Sequence, residues 1–292
     1  MDVNLKAGDL VIALNNPEWG QGKVLFLSGP SKAMVFFLNE PKRKTMQVKS
    51  LQISNDPPDP IFANLDVNID EATTPYFSFE MALKRFFDIF PQGFDDPAYL
   101  EQERNWKVKA HEMMVDKLDE ATFRNLLNEQ KYSDIVARVL AVESKLYLLL
   151  AVYEKMALRD ALKDPESQVT FANALYEYLY GEETIENRFK EFADVLSRMP
   201  QQGHRFHTWP IQTLFLFTRF PNEYPFMKPE IVKEAAKRLI RYDLSYRSEP
   251  NWSTYRNLLN LSEIINAKLS RSNHPPRDMI DVQSFIYAVE KY

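Results

Sequence analysis

Three prolines in seven residues, in Ser54-Asn-Asp-Pro-Pro-Asp-Pro60, forbid helix and sheet alike, because proline fixes φ and removes a backbone donor. The stretch separates two different periodicities. Before it, short β-branched or aromatic runs at residues 9–14, 23–27, 33–38, 45–48 and 51–53 are divided by turn residues. After it, apolar residues recur every three to four positions. The pattern predicts an α+β protein in two domains. A small five-stranded SH3-like β-barrel is expected over residues 1–55, a proline-rich linker over 56–75, and a large all-α domain of about ten helices over 76–292.

Composition limits what such a chain does. With 292 residues, 45% hydrophobic and 26% charged, it has the ordinary globular balance and enough length for a sizeable core. The absence of cysteine excludes disulfides, thiol nucleophiles and cysteine-based zinc sites. Residues 1–9 lack a basic flank followed by an apolar segment, and no run approaches the roughly 18 apolar residues of a membrane span. The expectation is a cytoplasmic protein with no membrane partner. Residues 1–55 hold seven Lys/Arg against four acids, or +3, so the remainder carries −8 of the overall −5. Contact with phosphates, where it occurs, is therefore expected to be local.

In the N-terminal part, Gly20 and Gly22 bracket Gln21, where the chain is expected to reverse, and Gly29-Pro30-Ser31 and Glu40-Pro41-Lys42 mark the next turns. Lys6-Ala-Gly-Asp-Leu-Val11, then Asn16-Pro-Glu-Trp-Gly-Gln-Gly-Lys-Val24, then a strand ending in Leu38-Asn-Glu-Pro41 and a basic strand, resemble a Tudor-like barrel family. Relatives of that family sit at the C-termini of superfamily-1 DNA-repair helicases and in CarD-type regulators that bind RNA polymerase. The resemblance covers about fifty residues. It implies a macromolecular partner of the RNA polymerase, helicase or DNA class, met by Trp19, Lys23, Phe36, Lys42, Arg43 and Lys44. For Trp19 the alternative is a residue that covers the end of the barrel; for the basic run it is an edge strand defended by lysine.

From Ser78 onward, Phe79, Leu83, Phe86, Phe87 and Phe90 share one helical face, and Pro91-Gln-Gly93 ends that helix. Further helices are expected at residues 96–118, 120–129, 133–143, 145–162, 165–180, 183–199, 209–217, 229–239, 250–269 and 277–286. Asp164-Pro165 is a helix start and Tyr180-Gly181 a stop. The run 146–152 is apolar on all sides, which predicts the central helix of the body. Residues 209–286 resemble the helical domain of an uncharacterised bacterial family that carries this kind of barrel.

Candidate chemistry is sparse. His204 and His207 lie three apart in a loop with no acidic third ligand beside them, so no metal is expected. His111 and His274 read as surface residues. Neither a Gly-x-Ser-x-Gly elbow nor a Gly-rich phosphate loop occurs, seven glycines leave little room for one, and no cofactor is expected. Residues 209–239 are distantly similar to helix-hairpin-helix DNA glycosylases, a resemblance that would place Glu230 in a base-flipping pocket and Lys228, Lys233 and Lys237 on phosphates. The family's Gly-x-Gly hairpin and catalytic lysine have no match here. The plain alternative for Pro229-Glu230 is a helix N-terminus with an acid that suits the dipole. Arg241, Arg247 and Arg256 interleave with Tyr242, Tyr246, Trp252 and Tyr255, a pattern suited to stacking on bases, although packing also explains it. Asp278 and Asp281, beside Arg277, read as first-turn capping groups. The leading functional expectation is a non-enzymatic adaptor whose barrel docks on a nucleic-acid-processing partner. The alternative is a DNA-binding or DNA-processing protein.

Overall fold

The structure, a computed structural model, describes residues 5–27, 29–40, 43–59, 62, 79–146, 148–200, 203–240 and 242–291. It has two compact units. One comprises Met1–Lys84 with Glu234–Leu244, and the other Arg85–Lys233 with Ser245–Tyr292.

In the first unit five antiparallel strands run β1 Leu10–Ala13, β2 Gln21–Leu27, β3 Lys32–Phe37, β4 Lys44–Gln47 and β5 Leu51–Ile53. Their order across the sheet is β4-β3-β2-β1-β5. Strand alternation puts Val11, Ala13, Val24, Ala33, Val35, Phe37 and Leu51 on one face, where they form a buried core with Leu5. The expected barrel is not closed. β4 spends its ladder on β3 and β5 spends its ladder on β1, and the single 3-10 turn Val48–Ser50 carries the chain from one edge of the sheet to the other.

The glycine turn also differs from expectation. The reversal falls on the 3-10 turn Pro17–Trp19, and Gly20 follows it with φ 73°, a conformation that disfavours a side chain. Gly22 lies within β2, and its need is spatial: a Cβ there would sit 2.5 Å from the Phe37 ring. Gln21 opens β2 and uses both ends of its amide. Its Nε2 donates to Ser54 Oγ (3.0 Å) and to the Asp56 carbonyl (3.2 Å), and its Oε1 accepts from the Asp59 amide (3.3 Å). The first residues of the proline-rich stretch are thus clasped to the sheet. The rest of the expected linker, except Phe62, lies outside the described residues.

Eleven α-helices of eight or more residues follow among the described residues: α1 Phe79–Ile89, α2 Asn105–Leu118, α3 Glu120–Asn128, α4 Tyr132–Glu143, α5 Val152–Ala161, α6 Pro165–Tyr180, α7 Ile185–Arg198, α8 Trp209–Arg219, α9 Pro229–Leu239, α10 Trp252–Arg271 and α11 Met279–Lys291. The unit boundaries fall inside α1 and α9. Local signals set several starts. Asp119, Asp164, Thr184, Thr208 and Asn251 each accept a hydrogen bond from an amide in the helix they precede, and Pro165 and Pro210 stand in first turns, where no amide donor is needed. A π-turn, Leu100–Arg104, leads directly into α2.

The central helix of the larger unit is α8, in which every residue from Trp209 to Thr218 is buried. The helix expected over residues 145–162 starts only at Val152. The run before it is non-helical at its described residues: Leu146, Leu149 and Leu150 are buried, and Leu148 is exposed. The helix restarts where the Glu154 carboxylate accepts from the Ala151 amide at 2.8 Å. An all-round apolar run marks a buried segment, and here that segment is a turn. No helix among the described residues is long and apolar enough to cross a membrane.

Candidate functional site

The residues expected at the partner surface fall into different environments. Trp19 is half-buried against the sheet core, with its ring centroid 5.4 Å from that of Phe37. Lys44 Nζ lies 5.4 Å from the Trp19 centroid and 2.9 Å from Glu40, so Trp19, Lys44 and Glu40 form a small platform at the β4 end of the sheet. Lys23 donates to the Phe62 carbonyl at 2.9 Å. Phe36 points to the sheet face opposite Phe37 and is buried. Arg43 is half-buried, and Lys42 lies outside the described residues. Among the described residues of the sheet and its loops, the exposed large apolar side chains are Leu14 (52%), Phe26 (48%), Leu27 and Ile53 (46%), which sequence reasoning did not single out. Phe26 and Leu27 were hidden because β2 bulges between Val24 and Phe26, and that breaks the alternation by which a strand's outer face is read.

The helical candidates disperse. Glu230 is exposed in the first turn of α9 and pairs with Lys233 at 2.8 Å, as a dipole-compatible helix start would. Lys233 also lies 4.8 Å from the Tyr246 ring centroid. Lys228 donates to the Leu148 carbonyl at 3.0 Å and sits 5.3 Å from the Tyr287 ring centroid. Trp252 packs on Phe189 and Tyr255. Arg247 and Arg256 are exposed, Lys237 is half-buried, and Arg241 lies outside the described residues.

Two histidines differ from expectation. His111 Nδ1 lies 2.8 Å from the Thr218 carbonyl, which ties α2 to α8, and the His274 ring packs 4.4 Å from that of Phe87. His204 and His207 are non-helical, and the described residues hold no group of three or more metal-ligating side chains. His207 is 9% exposed, with its pKa lowered by burial and by Arg205. It lines a surface pocket of about 340 Å³ with Asp194, Arg205 and Glu249.

The densest polar constellation was visible in the sequence only on its Arg277, Asp278 and Asp281 side. The π-turn and α2 face α11 through two linked clusters. Arg104 grips both oxygens of Asp278 (2.8 and 2.7 Å) and reaches Asp281 Oδ1 at 2.8 Å. Asp281, fully buried, also accepts from the Tyr99 hydroxyl at 2.5 Å and from the Arg277 backbone amide and Nε, each at 2.9 Å. One turn further on, buried Lys107 donates to Gln283 (2.8 Å), Ser284 (2.7 Å) and Glu103 (3.2 Å).

The electrostatics follow from this geometry. Burial pulls Lys107 down to about 8, with Glu103 opposing the shift. Burial and the Asp281 charge push Tyr99 well up. Burial works against the Arg104 charge, but Asp278 and Asp281 carry its pKa above the ordinary value. A carboxylate with four donors on it, and an ammonium with all three hydrogens committed, are anchors and not proton-transfer groups. The cavity beside Lys107, lined by Trp106, Leu149, Lys228 and Tyr287, has about 10 Å³, room for one water. The capping expectation holds for Asp278, which accepts from the Ile280 and Asp281 amides. It holds in part for Asp281, whose Oδ2 accepts from the Arg277 amide before the helix while its Oδ1 turns into the core toward Tyr99 and Arg104.

Compared with protein-family models, curated proteins and solved structures, the chain matches none of them.

Proposed function

We propose that the protein is a non-enzymatic, cytoplasmic adaptor whose N-terminal sheet docks on a nucleic-acid-processing protein of the RNA polymerase or helicase class. The observation that carries the docking surface is the exposure of large apolar side chains on the sheet, Phe26 on the side opposite the buried core and Leu27 and Ile53 at the margins of the core side, together with the Trp19–Lys44 platform. Large apolar groups held in water by a rigid sheet favour a protein surface, and the cation beside the indole adds orientation. The partner class rests on the resemblance of residues 6–24 and 38–44 to Tudor-like barrels.

The test is crosslinking and mass spectrometry of the tagged full-length chain recovered from its own cells. Crosslinks from residues 14–53 to a polymerase or helicase subunit, lost on Phe26→Ser with Trp19→Ala, are the expected result. Recovery of the same partner by this double variant would sink the proposed surface. Steeply salt-dependent binding of duplex DNA by the full chain would replace the adaptor reading with the DNA-binding one.

A further inference from the structure

A second surface lies in the helical unit. Helices α6 and α7 form a hairpin with a groove of about 360 Å³ between them. Its floor is the stacked pair Tyr178 and Phe192, with centroids 4.3 Å apart and planes 13° from parallel. Ala174 and Val195 are half-buried on its walls, and Glu177 and Glu191 stand exposed at its rim. The lining runs from Thr170 to Tyr178 on one helix and from Arg188 to Val195 on the other, about two turns on each side.

Charge decides what such a groove takes. From Asp164 to Arg198 the hairpin carries eight acids and three bases, a net of −5, as much as the whole chain. All three bases are committed within it. Arg188 donates to the Tyr178 and Leu179 carbonyls at 3.0 Å each, Lys190 pairs with Glu186, and Arg198 pairs with Asp194. Among the described residues no cation pairs with Glu177 or Glu191. The groove therefore combines an apolar floor with two rim carboxylates that no described cation pairs with, against the single Arg188 held to backbone carbonyls on the same lining.

We infer that this groove binds a basic amphipathic helix of a partner protein, with apolar side chains against Ala174 and Val195 over the buried Tyr178–Phe192 pair and lysine or arginine against Glu177 and Glu191. Two turns of helix on each wall match anchors at i and i+4, which lie one turn apart on an incoming helix. This gives the adaptor reading its second partner, but the groove belongs to a different unit from the sheet and stands or falls separately.

The probe is a fluorescein-labelled helical peptide of leucine and lysine, with leucines at i, i+3, i+4 and i+7, titrated into the full-length protein. The control is a peptide of the same composition with the leucines dispersed around the helix. The amphipathic peptide is expected to bind at least about tenfold tighter than the control. Glu177→Gln with Glu191→Gln, both exposed and harmless to folding, should weaken it about tenfold and flatten its salt dependence. Trp19→Ala with Lys44→Glu should leave it unchanged, which separates this site from the sheet. Equal binding of the two peptides, or an affinity untouched by the glutamine pair, would overturn the inference. So would sedimentation showing that the free protein self-associates through the same two glutamates, since the occupant would then be a second copy.

Discussion

The two units solve the same problem, holding a polar chain around an apolar interior, by opposite means. The sheet packs small aliphatic side chains and one glycine-sized gap against Phe37, and its Lys44–Glu40 pair sits at the rim. The helical unit places titratable side chains inside: Glu103, Lys107, Glu143 and Asp281 are each at most 3% exposed. The difference teaches that tightness of fit governs the sheet, whereas hydrogen bonding to buried polar groups, complete at Asp281 and Lys107 but not at Glu143 Oε1 or Gln212 Oε1, weighs on the helices. A buried charge is tolerable only while every partner is present.

The strongest way to break this contrast is Asp281→Ala. It strands Arg104, Tyr99 and Arg277 without their acceptor and should cost about 3–5 kcal/mol in denaturant unfolding; a loss below about 1 kcal/mol would show that the cluster is ornamental. Next is the pH response of Lys107. Its folded value of about 8 lies below the ordinary 10.5, so the unfolded chain takes up the proton first as pH falls. Stability contributed by the neutral amine is present above about 10.5 and is lost as pH falls through about 8, a change on the order of 3 kcal/mol. Urea titrations of wild type and of Lys107→Met with Glu103→Gln, compared across that window, should differ in slope, the double variant being the flatter. Parallel slopes would remove Lys107 as the cause.

For the sheet, Gly22→Ala drives a methyl group into the Phe37 ring and should cost about 1–3 kcal/mol, read from the unfolding midpoint. If it costs more than Asp281→Ala, the ranking of the two units inverts. The smallest effect is Lys44→Ala, which removes one cation from the Trp19 face and should change stability by about 0.5–1 kcal/mol, with a shift in tryptophan fluorescence as a second readout.

How legible each part was follows from the distance over which its causes act. The helix start at Asp164-Pro165 and the helix beginning at Trp209 could be read locally, because a cap or an apolar run acts within one turn. The separation into sheet and helices was legible in the change of period across Ser54–Pro60. The Leu146–Val152 run misled because apolar residues report burial without reporting conformation. Gly22 misled because its reason lies across the ladder, on Phe37. Arg277, Asp278 and Asp281 were legible as a local charged group, but their partners Tyr99 and Arg104 were not, because they stand 182 and 177 positions from Asp281. Nothing in a single sequence joins such positions.

The π-turn at Leu100–Arg104 has a consequence for how this chain can change over generations. It is a helix carrying one surplus residue, so losing any single codon there would yield a smoother helix by local criteria. The same loss would rotate everything upstream by about 100° relative to Lys107 and swing Tyr99 off its carboxylate. Substitutions at the exposed Glu101 and Gln102 can be absorbed one at a time, but the length of the segment is locked, and a descendant with a shortened segment must have rebuilt the whole α11 anchorage.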